Sequence, residues 1–191
     1  MMEKLAGLVG AVTFAGSPAG SAITARVARA GATVVMIDPD GTRTDAAAAE
    51  IRKSWGTVAV QEVEPHGGDA APVVAEIART CGGLDLLVLL MDETGAVAGG
   101  LVKAALPAMA ARGHGMIVVV DPQGTPRMGE LEEALSDVRR RLEAEHRDSV
   151  RCYGIASLPP GGGDLGAAIA HLAATRPEDE FDGRVILVPP L

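Results

Sequence analysis

The chain has 191 residues, of which 48% are hydrophobic and 2% aromatic, and its formal net charge is −8. This length suits one domain, 1–191, with a full core built from Ala, Val, Leu and Ile. The acidic balance argues against a nucleic-acid partner and an anionic membrane surface, and no segment reaches the ~18 apolar residues of a membrane span.

The predicted secondary structure alternates between strands and helices along the whole chain. Strands are predicted near 8–13, 33–37, 57–63, 84–91, 115–120, 149–156 and 184–188. Helices are predicted near 20–30, 44–54, 70–80, 97–112, 129–145 and 164–174. This alternation favours an α/β fold, a Rossmann-like doubly wound parallel sheet of about seven strands with right-handed crossovers.

Two cysteines, Cys81 and Cys152, show neither metal-site nor redox spacing. We interpret both as small buried hydrophobes in a reducing compartment, the cytoplasm. A secretory signal is the alternative for Lys4 and the apolar run after it, but the same residues are needed for the first strand and its turn.

The segment 5–38 reads strand, turn, helix, strand and closes on an acidic residue, as nucleotide-binding α/β folds begin. Such a turn needs three glycines: for the tight turn, for close approach of the backbone to a pyrophosphate, and for helix–strand packing. Only one of the three lies where the flanking strand and helix require it. The segment therefore predicts a fold that has lost its cofactor.

The whole chain resembles the short-chain dehydrogenase/reductase (SDR) family. The segments that carry the resemblance occur in family order: LAG before LVGAVT, ARAGA before TVVMID, GLDLLV, LPAM followed by GMIVVV, and FDGRVILV. The resemblance implies a dehydrogenase fold with an NAD or NADP groove at the carboxyl edge of the sheet. Two segments, 92–101 and 160–167, are too short for a helix and for the substrate lid that the family has there.

The family's T-G-x-x-x-G-x-G motif falls, without gaps, on residues 13–20. Its first two glycines are replaced by Phe14 and Pro18, and Gly20 alone remains. A rival register places the glycine positions on Gly16, Gly20 and Ala22, at the cost of shifts in the turn and helix. On the gapless register we expect no cofactor in this chain, whereas dinucleotide binding would favour the rival register. The vestigial site residues are Thr13, Gly16, Gly20 and Asp38.

The family's catalytic residues are also missing. Its serine position falls on Pro122, and its tyrosine and lysine positions fall near Met128 and Glu132. The single tyrosine, Tyr153, is followed four residues later by Ser157, so no Tyr-x-x-x-Lys pair exists in the chain. In the family the lysine helps to lower the tyrosine pKa for proton exchange with the substrate. We therefore predict no catalytic residues.

The carboxyl edge of the predicted sheet carries polar residues instead. Asp38 is open to two interpretations: an acceptor for an adenosine ribose, or a solvated strand end that caps the turn at 39–41. Asp92, Glu93 and Asp121 would add negative charge that repels a pyrophosphate, and His66 lies at the same edge. The carboxylates lack a clear metal-ligand spacing, so no metal site is predicted. His114 and His146 enter strands at the opposite edge and are predicted to be solvated.

The predicted helix 129–145 carries one apolar stripe on a strongly charged surface. The simpler interpretation is packing on the sheet. The resemblance adds a second, because this helix and the preceding one, 101–112, pair across a subunit interface in the family. The residues predicted at that interface, with the C-terminus, are Leu101, Leu106, Met109, Leu131, Leu135, Val138, Leu142, Val188, Pro189, Pro190 and Leu191.

These features favour a non-catalytic subunit. A few heteromeric ketoreductases, in aromatic degradation and in aminocoumarin biosynthesis, pair an active SDR with a degenerate homologue, which this chain resembles. The expected partner is an active SDR that binds NAD or NADP, in a hetero-oligomer such as a heterotetramer, and a homodimer is the alternative. The competing hypotheses are an oxidoreductase with an active site rebuilt on Asp121 or Asp92, and a free-standing ligand-binding or regulatory domain.

Overall fold

Strands and helices alternate in the structure, a computed structural model that describes residues 5–67, 70–123, 127–145, 149–157, 164–175 and 182–189. The strands are β1 Val9–Thr13, β2 Thr33–Asp38, β3 Thr57–Glu62, β4 Leu86–Leu90, β5 Gly115–Asp121, β6 Val150–Ser157 and β7 Val185–Val188. The helices are α1 Pro18–Arg29, α2 Gly41–Lys53, α3 Ala70–Cys81, α4 Gly99–Arg112, α5 Met128–Ala144 and α6 Leu165–Thr175. The predicted order of elements is confirmed, and residues 91–98 form no helix.

The seven strands form one parallel sheet in the order β3-β2-β1-β4-β5-β6-β7. The strand order reverses between β1 and β4. In open sheets of this kind, ligands bind outside the carboxyl ends of the strands at such a switch point. The predicted doubly wound α/β fold is thus confirmed, and its candidate site lies where β1 and β4 end.

Helices cover both faces of the sheet. Helices α3, α4 and α5 pack with one apolar cluster, and α1, α2 and α6 pack with the other. The central strands are therefore buried on both sides: β4 reads LLVLL and is buried throughout. Continuous apolar runs of this kind are typical of parallel sheets that are sandwiched between helices.

The apolar stripe of α5 faces this core. Leu131, Leu135 and Val138 are at most 3% exposed. The other predicted interface residues of α4 and α5, Leu101, Leu106, Met109 and Leu142, are buried in the same cluster. The interface prediction is therefore wrong for these side chains, because sheet packing already uses them. Whether the outer faces of the two helices bind a partner stays a prediction.

The structure describes only two of the four C-terminal residues predicted at the interface. β7 lies at the edge of the sheet and pairs with β6. Val188 is half-buried against the core, whereas Pro189 is exposed. Pro190 and Leu191 lie outside the described residues. The predicted loss of the substrate lid also stays a prediction, since residues 158–163 lie outside them too.

The two cysteines differ in burial. Cys152 is fully buried in β6, and burial, together with the nearby Asp182 carboxylate, raises its pKa to about 12. Cys81 is half-buried, and burial raises its pKa as well. Both are free thiols. The prediction of a small buried hydrophobe is confirmed for Cys152 and holds only in part for Cys81.

A charge cluster closes the amino edge of the sheet. Asp85 has a 1% exposed side chain and accepts hydrogen bonds from Val9 N–H at 2.8 Å and from Arg112 at 2.9 and 3.1 Å. His114 Nε2 lies 3.0 Å from the same carboxylate and the His114 side chain is 34% exposed, so this residue is partly solvated and also paired. Burial alone would raise the pKa of Asp85, but Arg112, Val9 N–H and His114 hold it below its ordinary value.

Candidate functional site

The β1–α1 turn keeps its shape without its first glycine. Phe14 adopts φ +49°, in the left-handed region that side chains rarely occupy. Helix α1 begins at Pro18, with Ser17 as the N-cap, and the Ser17 side chain accepts a hydrogen bond from Gly20 N–H at 3.1 Å. Phe14 therefore stands where the tight turn favours glycine, and Pro18 stands where the backbone would approach a ligand.

Gly20 holds α1 against this turn. A Cβ atom at position 20 would lie 2.3 Å from the carbonyl oxygen of Phe14. This is the helix-packing role of the third glycine in the motif. The arrangement matches the gapless register. The rival register does not fit, because it would make Gly16 the turn glycine and start the helix two residues later.

Gly20→Ala should lower the free energy of unfolding by about 1–3 kcal/mol, the usual cost of overpacking. The contact is with backbone, so the turn or the helix has to move. Urea unfolding measures the loss. Gly129→Ala in the first turn of α5 is the matched control, since nothing lies within 4 Å of its Cβ position. Equal stability of the two variants would contradict the assigned role of Gly20.

The amides of the turn are bonded within the chain. The N–H groups of residues 15, 16, 17, 20 and 21 donate to Ile37 O, Asp38 Oδ2, Phe14 O, Ser17 Oγ and Ser17 O, respectively. Pro18 has no N–H. Within the described chain, this leaves the Ala19 amide as the one donor of residues 15–21 without an acceptor. A helix N-terminus binds phosphate through several free amides, which this turn does not offer.

Asp38 is fully buried at the end of β2. Its Oδ2 accepts from Gly16 N–H at 2.9 Å. Its Oδ1 accepts from Asp40 N–H at 2.9 Å and from Arg43 Nη2 at 3.0 Å. Asp38 thus caps the following turn, but the expectation that it is solvated is wrong, because its side chain is fully buried. The carboxylate has no free face for ribose hydroxyls, so the residues present do not fit a dinucleotide in this conformation.

Three loops meet above the switch point through the Phe14–His66–Asp92 cluster. The rings of Phe14 and His66 are 5.4 Å apart between centroids and tilted by 38°. His66 Nε2 lies 3.2 Å from Asp92 Oδ2. Sequence reasoning placed His66 and Asp92 at this edge but missed the contact with Phe14. No sequence signal indicates it, because β1 and β3 are not neighbours in the sheet.

Asp92 is held firmly by its own loop. Its Oδ1 accepts from the N–H and hydroxyl of Thr94, at 2.8 and 2.7 Å, and from Ala96 N–H at 2.9 Å. Partial burial would raise the pKa of Asp92, but these hydrogen bonds and the charge of His66 lower it. The carboxylate therefore stays ionised, with one oxygen directed at His66.

The remaining polar residues of the edge make separate contacts. Asp121 is fully buried at the end of β5, and its Oδ1 accepts from Gln123 N–H at 2.9 Å. Its Oδ2 has no partner among the described residues. Glu93 and Glu132 are exposed, and Thr13 Oγ1 accepts from the amide of residue 90. Within the described ranges, no three His, Cys, Asp or Glu side chains are placed to hold a metal.

No family model matches the chain. A hydroxysteroid dehydrogenase from Escherichia coli has a TM-score of 0.82 with it at 18% identity, over 98% of this chain and 97% of that one. An SDR from Mycobacterium marinum has a TM-score of 0.81 at 16% identity, over 98% and 96%. A metagenomic SDR in complex with NADP has a TM-score of 0.76 at 22% identity, over 98% of this chain and 99% of that one. At these identities the likeness establishes the fold alone: the chain has the SDR fold.

Proposed function

We propose that this chain is a non-catalytic subunit that assembles with an active NAD(P)-dependent SDR and supports it. The carrying observation is the state of Asp38. Its carboxylate is fully buried and accepts three hydrogen bonds from its own chain, from Gly16, Asp40 and Arg43. The residue best placed to bind a ribose is thus already engaged, and NAD or NADP belongs to the partner.

Two further features agree with this role. The chain has one tyrosine, and Tyr153 is a fully buried residue of β6, on the core side of the sheet. Proton exchange with a ketone or alcohol needs an acid–base group within hydrogen-bond reach of the substrate. The seven strands and six of the helices nevertheless occur in family order, and the sheet is covered by helices on both faces. A preserved scaffold without its chemistry favours a role in assembly.

The partner would contact the outer faces of α4 and α5, since their inner faces pack on the sheet. The exposed residues of α4 include Gly100, Pro107 and Ala111, which are small, and Lys103, which is long. The outward side of α5 is charged, and Arg139–Glu143 and Arg140–Asp137 pair along it. Of the two, the α4 face allows the closer approach of another helix.

Calorimetric titration of the isolated chain with NADH and with NADPH should show no micromolar binding, because the turn amides and Asp38 are engaged within the chain. An intact SDR titrated in the same buffer is the positive control. Micromolar affinity for either dinucleotide would refute the non-binding part of the proposal. Co-expression with an intact SDR encoded beside this chain, followed by native mass measurement, tests assembly: a purely homomeric product refutes the subunit role.

One observation favours a second candidate, an oxidoreductase with a rebuilt site. Asp121 is fully buried at the carboxyl edge with Oδ2 unpaired in the described chain, and a buried unpaired carboxylate oxygen calls for a partner. Asp92, the other residue considered for this role, has both oxygens engaged. Retention of NADH or NADPH by the purified chain, with turnover lost in Asp121→Asn, would favour this candidate.

A further inference from the structure

Phe14 keeps an unfavourable backbone conformation. Its φ of +49° suits glycine, and a bulky side chain persists there only when its surroundings hold it. Its carbonyl accepts from Ser17 N–H at 3.0 Å and from Ser17 Oγ at 2.7 Å. These bonds fix the backbone of the turn, but glycine would make them equally well. The difference between phenylalanine and glycine at this position is therefore the aromatic ring and its contacts.

The ring of Phe14 joins two loops at the carboxyl edge of the sheet. Phe14 follows β1, is partly buried against the apolar cluster of α1, α2 and α6, and contacts His66 in the loop after β3. His66 in turn contacts Asp92, in the loop after β4. The three loops therefore meet at the switch point between β1 and β4, where sheets of this kind bind ligands.

Hydrogen bonds within the loop after β4 hold the cluster in place. Asp92 Oδ1 accepts hydrogen bonds from the N–H groups of Thr94 and Ala96, and its Oδ2 faces His66 Nε2. The side chains of His66 and Asp92 are 27% and 24% exposed, so the pair lies at the rim of the groove and not in the core. The charged groups that face His66 are Asp92 and Glu64, whose carboxylate accepts from His66 N–H at 3.3 Å. A ring, a second ring and a fixed anion thus form a continuous bridge.

We infer that the Phe14–His66–Asp92 cluster is an autoinhibitory plug, in which the Phe14 ring takes the place that a planar heteroaromatic ligand would occupy against His66. Rings of this type stack favourably at the centroid distance observed. The plug excludes a ligand base independently of the phosphate side of the site, where the amides are already bonded. The inference rests on the proposed function in that the wild-type chain binds no dinucleotide.

The experiment uses the full chain and adenosine, which has a planar base and no phosphate. Phe14→Gly removes the ring and suits the left-handed backbone, so it should fold and bind adenosine at least about tenfold more tightly than the wild type in calorimetry. Adding His66→Ala to Phe14→Gly should remove that gain. His171→Ala, on α6, is the matched histidine control and should behave as the wild type.

The outcomes separate the two proposals. A folded Phe14→Gly variant that binds adenosine no better than the wild type overturns the plug. The plug is also overturned if Phe14→Gly gains affinity for inorganic phosphate as much as for adenosine. The same holds if the gain in adenosine affinity persists when His66→Ala is added. Phe14→Asn, which also tolerates this φ, gives the same test if the glycine variant does not fold. Micromolar NADH binding by the wild type refutes the non-binding part of the proposed function, and the plug with it, whereas failure of the Phe14→Gly test alone refutes only the plug.

Discussion

Leu135→Glu should unfold the chain rather than release a partner. Leu135 is 3% exposed within the core formed by the sheet with α3, α4 and α5. The substitution loses about 1.5–3 kcal/mol of apolar burial and places a carboxylate where no partner can pair with it, at a cost of several kcal/mol more. The sum approaches the ~5–15 kcal/mol by which a domain is stable. Circular dichroism and size-exclusion chromatography measure the result.

Ser136→Glu is the matched control for this variant. Residue 136 is exposed on the same helix, so the same new charge should change stability by no more than about 0.5 kcal/mol. A folded Leu135→Glu chain with native helix content would contradict the core assignment. If it also failed to assemble with an SDR partner, the apolar stripe would regain its place at the interface.

Asp85→Asn should lower the free energy of unfolding by about 3 kcal/mol, the lower end for a broken buried ion pair. The lower end applies because the side chains of Arg112 and His114 are 36% and 34% exposed and regain some hydration. Urea unfolding at neutral pH measures the loss. Asp137→Asn, which breaks an exposed pair with Arg140, is the control and should have little effect.

The contribution of Asp85 should also depend on pH. Its pKa is lowered in the folded state, so its stabilisation is complete above the ordinary aspartate pKa of about 4 and is lost as the pH falls through the folded value. The stability difference between wild type and Asp85→Asn should therefore shrink in acid. A difference that is constant from neutral pH to the acid limit of folding would show that the charge of Asp85 is not what stabilises this edge.

The order of strands and helices could be predicted because local signals agreed with the tertiary structure. The runs TVVMID and GMIVVV are too apolar for any position except a strand between helical layers. The observed ends of some helices differ by a few residues from the predicted ends, because capping contacts determine where a helix begins. α2 begins at Gly41, because the Asp40 side chain accepts from the backbone N–H of residue 43. Such a cap is a single hydrogen bond that hydrophobic periodicity does not report.

The site was less predictable because its residues have two uses that the sequence does not distinguish. Asp38 ends β2 whether it binds a ribose or its own chain, and only the contacts with Gly16 and Arg43 decide. The stripe around Leu135 has the same periodicity whether it faces the sheet or a partner. The ring of Phe14 meets His66 through side-chain directions in two loops, for which the sequence carries no periodic signal.

The internally bonded turn has a consequence for how this protein responds to its surroundings. A protein that binds a ligand only when folded gains stability from that ligand by mass action, so its melting temperature follows the ligand concentration. Here Asp38 and the amides of residues 15–17, 20 and 21 are bonded without a ligand. If the chain binds no dinucleotide, as we propose, its melting temperature would not follow the cellular dinucleotide concentration.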